Sequence, residues 1–579
     1  MTGASNPEAV WKRPALAEPN HVEMGGVLGD AFSRGLKRIG IDPPYTVQYL
    51  LADLNFDMQR FGANFSGDVS GRFLELASLT SSPQNPAPPT LPEVMSKIPM
   101  LQQLDGHFGA AIDWQEPIDF DSPLLEAKMM PTMWGNGRIL LGLVACHARF
   151  GDPDLLDSAL KLGDFYVNVA ADRFCDPNCL AEYQKSPGYA GAYVTCVFHG
   201  IAGLVQLYNA TDDARYLDVA QRMADFHSAF DTLPVEHAHG SISAHEALLM
   251  LYEATGDPRY LKRVTDRWTR AVTGGYVTLA GGVLEKFVVA GFNRDEGCAE
   301  SDWLRVNLML WRELGDTRYL DMAERLLWNE YLANQWPDGG YGHRLISTDA
   351  QGAYAYGRLD EEAVWCCCFH GPLGLRALKS YLAVGGAREI YLNFPTDFTA
   401  PVTVGRDSFT VASKTLPADE NIPVKTEVTL AGAGQAPLMV RIPDWADEVI
   451  IQSGAKRIHA LTFNGYLRTP PVASGDRLEI AYHARPHLET RLGQRIPIPA
   501  GLPADLRDVV IRQGPEIFLN AGSGDIQNVT LNVNGQNEIE IPKEASAKMA
   551  PWLKLQDHNV PHAFVFNVRL EGAAAASER

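Results

Sequence analysis

The stretch YEATGDPRYLKRVTDRW, residues 252–268, repeats a pattern that occurs three more times in the chain. Each copy reads as the end of one helix, a Gly-Asp turn and the start of a second helix. Glycine suits the position just past a helix C-terminus, and aspartate suits the N-cap of the next helix. The other copies place this turn at residues 151, 212 and 315, with Asp-Asp replacing Gly-Asp at 212. The sequence therefore predicts a series of helical hairpins.

The hairpins are spaced too irregularly for a short-period solenoid, and they fit a toroid of paired helices. We expect an (α/α) barrel over residues 25–385, with a concave pocket at one end that is fed by the longer loops. Residues 386–570 change to short alternating runs between turn residues, for example PLMVRIPDWA at 437–446. This half predicts one or two β-sandwich domains. The flanks are predicted to be an N-terminal extension (1–24) and a disordered tail (571–579).

Composition excludes several classes of function. A chain of 579 residues needs more than one domain, and 46% hydrophobic with 21% charged residues is typical of a soluble globular protein. The formal net charge of −20 argues against nucleic acid or an anionic membrane as the main partner, but not against a neutral sugar. No apolar run reaches the roughly 18 residues of a membrane helix, and no secretory signal is visible at the N-terminus. We therefore expect a cytoplasmic location.

Three of the eight cysteines stand together in AVWCCCFHG, residues 363–371. They directly precede a predicted helix that begins near Pro372. Thiols at a helix N-terminus feel the positive end of the helix, which lowers their pKa. In a reducing cytoplasm such a cluster favours a metal site or catalysis over disulfides.

A second unusual stretch is FNRDEGCAESDWLRVNLMLWREL, residues 292–314. Glu296 and Cys298 precede a helix that Ser301 or Asp302 can cap. If both helix starts lie at the same end of the ring, three thiolates and one carboxylate make a tetrahedral zinc site. Buried cysteines can also act as small hydrophobic residues, and four protein ligands usually mean a structural zinc. The residues alone predict a metal site whose role is undecided.

These motifs resemble those of glycoside hydrolase family 127, the β-L-arabinofuranosidase-like zinc-dependent cysteine glycosidases. VWCCCFHG is similar to the Trp-Cys-Cys-x-x-x-Gly segment of that family, and DEGCAE is similar to its Glu-x-Cys segment. GGVLEKF, residues 281–287, resembles the segment that carries the acid/base, and PLMVRIPDWADEV resembles an Arg-Ile-Pro-x-Trp strand. The resemblance extends from about residue 190 to 450.

The resemblance implies specific roles at the matching positions. Cys366 would be the nucleophile that forms a thioglycosyl intermediate, and Glu285 would be the general acid and then the base. Glu296, Cys298, Cys366 and Cys367 would bind Zn²⁺. A register one residue later, with Cys367–Cys368 as the pair, stays open. The apolar neighbours Leu284 and Phe287 predict a raised pKa for Glu285.

The resemblance also suggests residues of this sequence that contact the substrate. His199 in VFHGIAGL matches a substrate-contacting histidine, and His239 in EHAHGSISAHE is the favoured sugar contact. Tyr341 and His343 in DGGYGHRLI are the candidates for a substrate tyrosine position, where this sequence departs from an aromatic-rich strand of the family. Cys175 and Cys179 form a further pair to which we assign no role.

The leading hypothesis is a retaining exo-glycosidase that acts on a furanoside or a related rare sugar. One alternative is a sugar epimerase or isomerase on the same ring, with histidines as its acid/base groups. Another is a non-catalytic carbohydrate-binding protein with a structural zinc. The expected partner is a small carbohydrate or glycoside. The β half offers either a wall of the pocket or a dimer interface, so a monomer and a homodimer both remain open.

Overall fold

The computed structural model describes residues 11–571 except 41–43, 116–127, 177–195, 230–236, 288–292, 351, 420, 499–504, 535 and 556–560. The predicted disordered tail therefore lies almost wholly outside the described residues, and so does Cys179. No helix in the described part of the chain combines the length and the apolar character that a membrane crossing requires.

Helices dominate the first two thirds of the chain. In order they are α1 Gly26–Ile39, α2 Val47–Asn55, α3 Asp68–Thr80, α4 Leu91–Lys97, α5 Met130–Phe150, α6 Pro153–Phe165, α7 Ala171–Phe174, α8 Gly200–Thr211, α9 Ala214–His227, α10 Ala238–Thr255, α11 Pro258–Thr273, α12 Gly297–Leu314, α13 Arg318–Leu326, α14 Leu332–Asn334 and α15 Cys367–Lys379. Two π-helical turns, Tyr166–Ala170 and Leu327–Tyr331, follow α6 and α13.

Within the described residues, six helices form a closed inner ring: α3, α5, α8, α10, α12 and α15 each pack on the next, and α15 packs back on α3. Helices α6, α9, α11, α13 and α1 pack outside this ring, each on its own inner partner. This arrangement is an (α/α) barrel, which confirms the fold class that the hairpin repeats predict.

The repeated turn behaves as its residues dictate. Gly256 lies in the left-handed region at φ 71°, which glycine adopts without steric cost, and Asp257 caps α11 through a backbone amide. The copy without glycine keeps the same geometry, because Asp212 takes a φ of 57°. Aspartate is one of the few residue types that tolerate this conformation.

Both helix starts that carry cysteines begin earlier than expected. Helix α15 begins at Cys367 rather than near Pro372, and the proline lies inside the helix with its ring against Gly35. Helix α12 begins at Gly297 with Glu296 as its N-cap residue. Ser301 and Asp302 therefore lie within α12 and do not cap it. The Ser301 hydroxyl donates to the His370 backbone oxygen, and Asp302 faces the rings of His239 and His370.

The strands are β1 Glu23–Met24, β2 Gly342–Asp349, β3 Gly352–Glu362, β4 Ala383–Gly385, β5 Ile390–Leu392, β6 Phe398–Val404, β7 Asp407–Thr415, β8 Val424–Gly432, β9 Gln435–Arg441, β10 Glu448–Ser453, β11 Lys456–Arg457, β12 Leu461–Phe463, β13 Tyr466–Ala473, β14 Arg477–His483, β15 His487–Glu489, β16 Asp505–Gln513, β17 Glu516–Asn520, β18 Gln527–Val533, β19 Ile539–Glu540, β20 Met549–Pro551, β21 His562–Ala563 and β22 Val565–Glu571. Short helices α16 Lys543–Ser546 and α17 Trp552–Leu555 lie between β19 and β21.

The strands of the described residues form four sheets. Two of them, in the orders β1-β6-β7-β8-β14-β10-β11 and β12-β13-β9-β5-β4, contribute side chains to one shared core. A third sheet, β19-β18-β22-β16-β17-β20 with β15 beside β16, has a core of its own. The C-terminal region is thus β-rich with several sheets, as the alternating runs predict.

The fourth sheet interrupts the helical half. Strands β2 and β3 form a hairpin before α15, and β21 from the far C-terminal region pairs with β3. Reading residues 25–385 as helical therefore missed this hairpin. It carries His343 and reaches the pocket described below.

Helices α3 and α5 cross at unusually short range. A Cβ built on Gly71 would lie 2.5 Å from the backbone nitrogen of Ile139, and one on Gly142 would lie 2.5 Å from the carbonyl oxygen of Gly71. Both contacts are with backbone, which cannot move aside without separating the helices. The closure of the inner ring at this crossing requires glycine.

We expect Gly71→Ala to destabilise the protein by about 1–3 kcal/mol through overpacking of this crossing. Gly40→Ala is the control, since a Cβ there would meet only the Lys37 carbonyl oxygen at 3.5 Å. It should stay within about 0.5 kcal/mol of the wild type. Chemical denaturation midpoints measure both changes, and equal midpoints for the two variants would contradict the close-packed crossing.

Candidate active site

Two helix N-termini of the inner ring bring four potential metal ligands together. Glu296 is the N-cap of α12 and Cys298 is its second residue, while Cys366 is the N-cap of α15 and Cys367 its first residue. One ligand atom from each residue lies within 4.8 Å of the others, and all four side chains are buried. The Sγ atom of Cys367 lies 3.4 Å from that of Cys298 and 3.5 Å from that of Cys366.

The donor set fits zinc. Three sulfurs and one carboxylate are the ligands that Zn²⁺ takes in tetrahedral sites. Burial raises the pKa of the Cys366 and Cys367 thiols, and the neighbouring Cys298 raises both further. The pKa of Cys298 is held well below its usual value in spite of burial, by hydrogen bonds from the two thiols and by the charge of Arg72. One sulfur in this cluster is thus ionised readily, and a bound cation favours the ionised form of the others.

Cys368 lies apart from this cluster. Its Sγ atom is 3.4 Å from the backbone oxygen of Tyr341 and 3.5 Å from a carboxylate oxygen of Glu362. It follows Cys367 in the first turn of α15, so its side chain points to a different face of the helix. The structure therefore brings Cys366 and Cys367, and not Cys368, to Cys298 and Glu296.

A pocket of about 510 Å³ opens beside the cluster. Of the four cysteines just described, Cys366 alone lines it, whereas Cys298, Cys367 and Cys368 are fully buried. The other described lining residues are Phe61, Gly62, Asn64, Phe65, Asp68, Val69, Arg72, Met130, Pro131, Trp134, Cys196, His237, His239, Glu285, Arg294, Glu296, His343, Glu361 and Trp365. The rings of Phe61 and Trp365 pack 4.5 Å apart, and Phe61 is largely exposed.

Glu285 lines the same pocket and is paired with a cation. Arg294 donates from Nε to Oε2 at 2.5 Å and from Nη2 to Oε1 at 3.2 Å. Burial raises the pKa of Glu285, but the hydrogen bonds from Arg294 and the charges of His237 and His343 outweigh it and lower the pKa. The expectation of a raised pKa was therefore wrong, because an arginine nine residues away in the sequence folds back onto the carboxylate.

His239 and His343 both line the pocket. His239 Nδ1 lies 2.5 Å from Asp302 Oδ2, and its Nε2 faces the guanidinium groups of Arg72 at 2.9 Å and Arg138 at 3.1 Å. Since a guanidinium only donates, Nε2 accepts and Nδ1 carries the proton. Burial lowers the pKa of both histidines, so each offers neutral hydrogen-bonding groups at neutral pH.

His199 and Tyr341 are not among the described residues that line this pocket. The His199 ring stacks on Trp134 at 3.9 Å and lines a separate cavity of about 320 Å³. Tyr341 is fully buried against Tyr331 and Gly371. Their role as substrate contacts therefore stays a prediction, although neither belongs to the described lining of this pocket.

Two residues of the site do not belong to any motif that the sequence singles out. Arg72 of α3 lies with Nη1 3.7 Å from Cys298 Sγ and donates to Asp68 at 2.8 Å, so it places a positive charge beside the sulfurs. Trp134 of α5 donates its indole hydrogen to the same Asp68 oxygen at 3.0 Å. The four-residue spacing of Asp68 and Arg72 indicates a helical ion pair, but it does not indicate contact with a cysteine 226 residues away.

The chain is similar to known proteins in sequence family and in fold. The family described as the β-L-arabinofuranosidase GH127 catalytic domain matches residues 53–381. A solved GH127 β-arabinofuranosidase is similar with a TM-score of 0.68 and 15% identity, covering 96% of this chain and 98% of that one. The GH127 β-L-arabinofuranosidase of Geobacillus stearothermophilus T6 gives 0.67 and 14%, covering 95% and 100%. No curated protein matches the chain in sequence.

The family match covers more than half of the chain, and it includes every residue placed in the cluster and the pocket. The structural matches share the whole architecture, barrel and β-rich region together. The chain is a member of glycoside hydrolase family 127, and its substrate is a carbohydrate.

Proposed function

We propose that this protein is a retaining exo-glycosidase with Cys366 as nucleophile and Glu285 as acid/base. One observation carries the proposal: of the cysteines at the four-ligand cluster, Cys366 alone lines the pocket, and Glu285 lines that pocket too. A sulfur that belongs to the cluster and also faces a cavity is available to a substrate. In a closed structural zinc site, none of the three sulfurs would line a cavity.

Glu296, Cys298, Cys366 and Cys367 would hold the zinc ion. When bound, the zinc keeps the Cys366 sulfur in its ionised form and makes it a better leaving group. Arg72, beside Cys298, adds a fixed positive charge that favours sulfur anions in this buried position. The protein thus supplies charge compensation from a second direction.

In the first step the Cys366 sulfur attacks the anomeric carbon, and the bond from that carbon to the leaving oxygen breaks. Glu285 gives its proton to the leaving oxygen. The sugar is then joined to Cys366 through a carbon–sulfur bond. In the second step Glu285 takes a proton from water, the water oxygen attacks the anomeric carbon, and the sulfur leaves. Two displacements at one carbon retain its configuration.

The pocket suits a single terminal sugar. His239, His343 and Arg72 offer donors and acceptors around it, while Phe61, Phe65, Trp134 and Trp365 offer ring faces. Aromatic faces against a polar floor are typical of small-molecule sites. The family indicates a β-L-arabinofuranoside, and we propose this sugar as the first substrate to test.

Cys366→Ser should abolish turnover, because a neutral serine hydroxyl is a much weaker nucleophile than a cysteine thiolate. We expect a loss of about 10³-fold or more in kcat/KM for aryl β-L-arabinofuranosides. Cys368→Ser is the matched control and should keep activity within about tenfold, since Cys368 faces Tyr45, Tyr341 and Glu362 and does not belong to the four-ligand cluster. A panel of aryl furanosides and pyranosides, with zinc content measured for each variant, tests this.

An electrophilic sugar analogue should label Cys366, as located by peptide mass spectrometry. Full activity in Cys366→Ser, or wild-type protein with almost no zinc, would rule out the cysteine mechanism. Labelling of Cys367 or Cys368 would instead require another register.

Glu285→Gln should slow glycosides with poor leaving groups far more than activated aryl glycosides. Only the former need a proton on the departing oxygen, and loss of that proton costs about 10²–10⁴-fold. Glu361→Gln, which also alters a carboxylate at the pocket, is the control. It should change kcat/KM by the same factor for glycosides with poor and with good leaving groups. Leaving-group dependence of kcat/KM measures the effect. A flat loss across both classes would exclude Glu285 as the acid.

Arg294→Gln should move the alkaline limb of the pH profile to higher pH. Arg294 stabilises the charged carboxylate and thereby lowers the pKa of Glu285, so its removal raises that pKa. Glu285 acts as acid only when protonated, and a higher pKa extends the protonated state upward in pH. Arg358→Gln, which removes a largely exposed arginine of β3, should leave the limb in place. An unshifted limb in Arg294→Gln would contradict this role.

A further inference from the structure

A second group of buried acidic residues lies behind the four-ligand cluster. Asp295, Glu300 and Glu330 are each fully buried, and one carboxylate oxygen from each lies within 4.8 Å of the others. Asp295 precedes α12, Glu300 is in the first turn of α12, and Glu330 is in the π-helical turn Leu327–Tyr331. None of the three lines the pocket, so hydrolysis gives them no role.

Two of these carboxylates are anchored by one oxygen each. Asp295 Oδ1 accepts from the Arg344 backbone amide at 2.5 Å and from the Asn334 side chain at 2.9 Å. Glu330 Oε2 accepts from the Gly282 backbone amide at 3.2 Å and from the Thr278 hydroxyl. These donors are all neutral, so they orient the carboxylates without neutralising them. The second oxygens, Asp295 Oδ2 and Glu330 Oε1, have no hydrogen-bond donor among the described residues.

Glu300 points into the space between these two anchored groups. Both of its oxygens are buried, and no amide, hydroxyl or cationic donor among the described residues reaches them. Its carboxyl group is within hydrogen-bonding reach of Asp295 and Glu330 only when a proton is shared between them. Four carboxylate oxygens from three residues therefore converge without a donor. Each buried ion that is left uncompensated costs several kcal/mol, so this group must be neutralised either by bound protons or by a cation.

The nearby cationic side chain is engaged elsewhere. The Arg344 guanidinium donates to the backbone oxygens of Ala333 and Gly357, and it lies over the Trp552 ring at 4.5 Å. One guanidinium directed at carbonyl groups does not balance three carboxylates. A divalent cation together with the Arg344 guanidinium supplies three positive charges, which match the three carboxylates.

We propose that Asp295, Glu300 and Glu330 bind a hard divalent cation of the calcium or magnesium class. The donors are oxygen only, which hard cations prefer, whereas the neighbouring sulfur-containing cluster suits zinc. A spread of up to 4.8 Å between ligand oxygens matches the width of a Ca²⁺ shell, in which each bond is about 2.3–2.6 Å long.

Such a cation would be a positioning group and would not touch the substrate. It would join the first turn of α12, which carries Cys298, to the turn at Leu327–Tyr331. Through the Thr278 and Gly282 contacts of Glu330, it would also reach the loop that leads to Glu285. One ion would then fix both the helix start that carries Cys298 and the loop that leads to Glu285. This inference does not rest on the proposed hydrolysis, since a cation can be counted without any activity.

Metal counting tests the proposal. The full-length protein is dialysed against trace zinc with either CaCl₂ or MgCl₂, and bound metals are measured by mass spectrometry. We expect one equivalent of zinc and one of calcium or magnesium. Glu330→Gln should keep the zinc and lose the second equivalent, while Cys367→Ala should lose zinc and keep the second. Glu448→Gln, an exposed carboxylate on β10, is the control and should keep both.

A stability measurement covers the case in which Glu330→Gln does not fold. Added Ca²⁺ or Mg²⁺ should raise the Tm of EGTA-treated wild-type protein, and the same salts should leave the Tm of folded Glu330→Gln unchanged. Wild-type protein that takes up neither metal and shows no Tm response would overturn the proposal and indicate carboxylates that share protons. Retention of the second equivalent by Glu330→Gln would overturn it too. Two bound metals without glycosidase activity would support this site while rejecting the proposed function.

Discussion

The structure depends on the meeting of two helix N-termini inside the ring, where the four potential ligand side chains are buried. Glu296 and Cys298 start one inner helix, and Cys366 and Cys367 start the next. Anionic sulfur is expensive in such a place unless positive charge is fixed nearby. The helix ends, Arg72 and the proposed zinc supply that charge from three directions. The ring therefore has to close accurately, and the glycine crossing of α3 and α5 brings Arg72 to the sulfurs.

A second buried anion organises the pocket floor. Asp302 receives His239 on one oxygen and His370 on the other, both at 2.5 Å, and Arg305 donates to it at 3.0 Å. Although burial raises its pKa, the two histidines hold it well below the usual value. A carboxylate that stays ionised keeps His239 in one tautomer and one orientation. The floor is thus rigid and polar, whereas the mouth, with Phe61 and Trp365, is aromatic.

The β-rich region packs against the barrel and holds part of the pocket wall in place. Arg441 and Trp445 both bond to the buried carboxylate of Glu324 on α13, which ties a sandwich sheet to the outer helices. Strand β21 pairs with β3, so the C-terminal region holds the hairpin that presents His343 to the pocket. One wall of the candidate site therefore depends on residues more than 200 positions further along the chain.

The sequence by itself determined those features that depend on interactions between residues close together in the chain. The Gly-Asp turns, the caps at Asp257 and its equivalents, the alternating strands and the cysteines at helix starts all follow from contacts over a few residues. Family resemblance added candidate roles, and its reach from about residue 190 left Arg72 and Trp134 outside it. Helix starts lie more than one turn earlier than expected, and at the second cysteine helix this is possible because Pro372 tolerates a helical position with its ring packed on Gly35.

Only the tertiary structure decided which side chains share a space. It separated Cys366, at the pocket, from the buried Cys367 and Cys368, and it placed His199 at a second cavity and Tyr341 in the core, outside the described lining of that pocket. It also reversed the expected pKa shift of Glu285 by adding Arg294. The reason is common to all of these: orientation, burial and charge pairing arise between residues distant in sequence, and no local pattern records them.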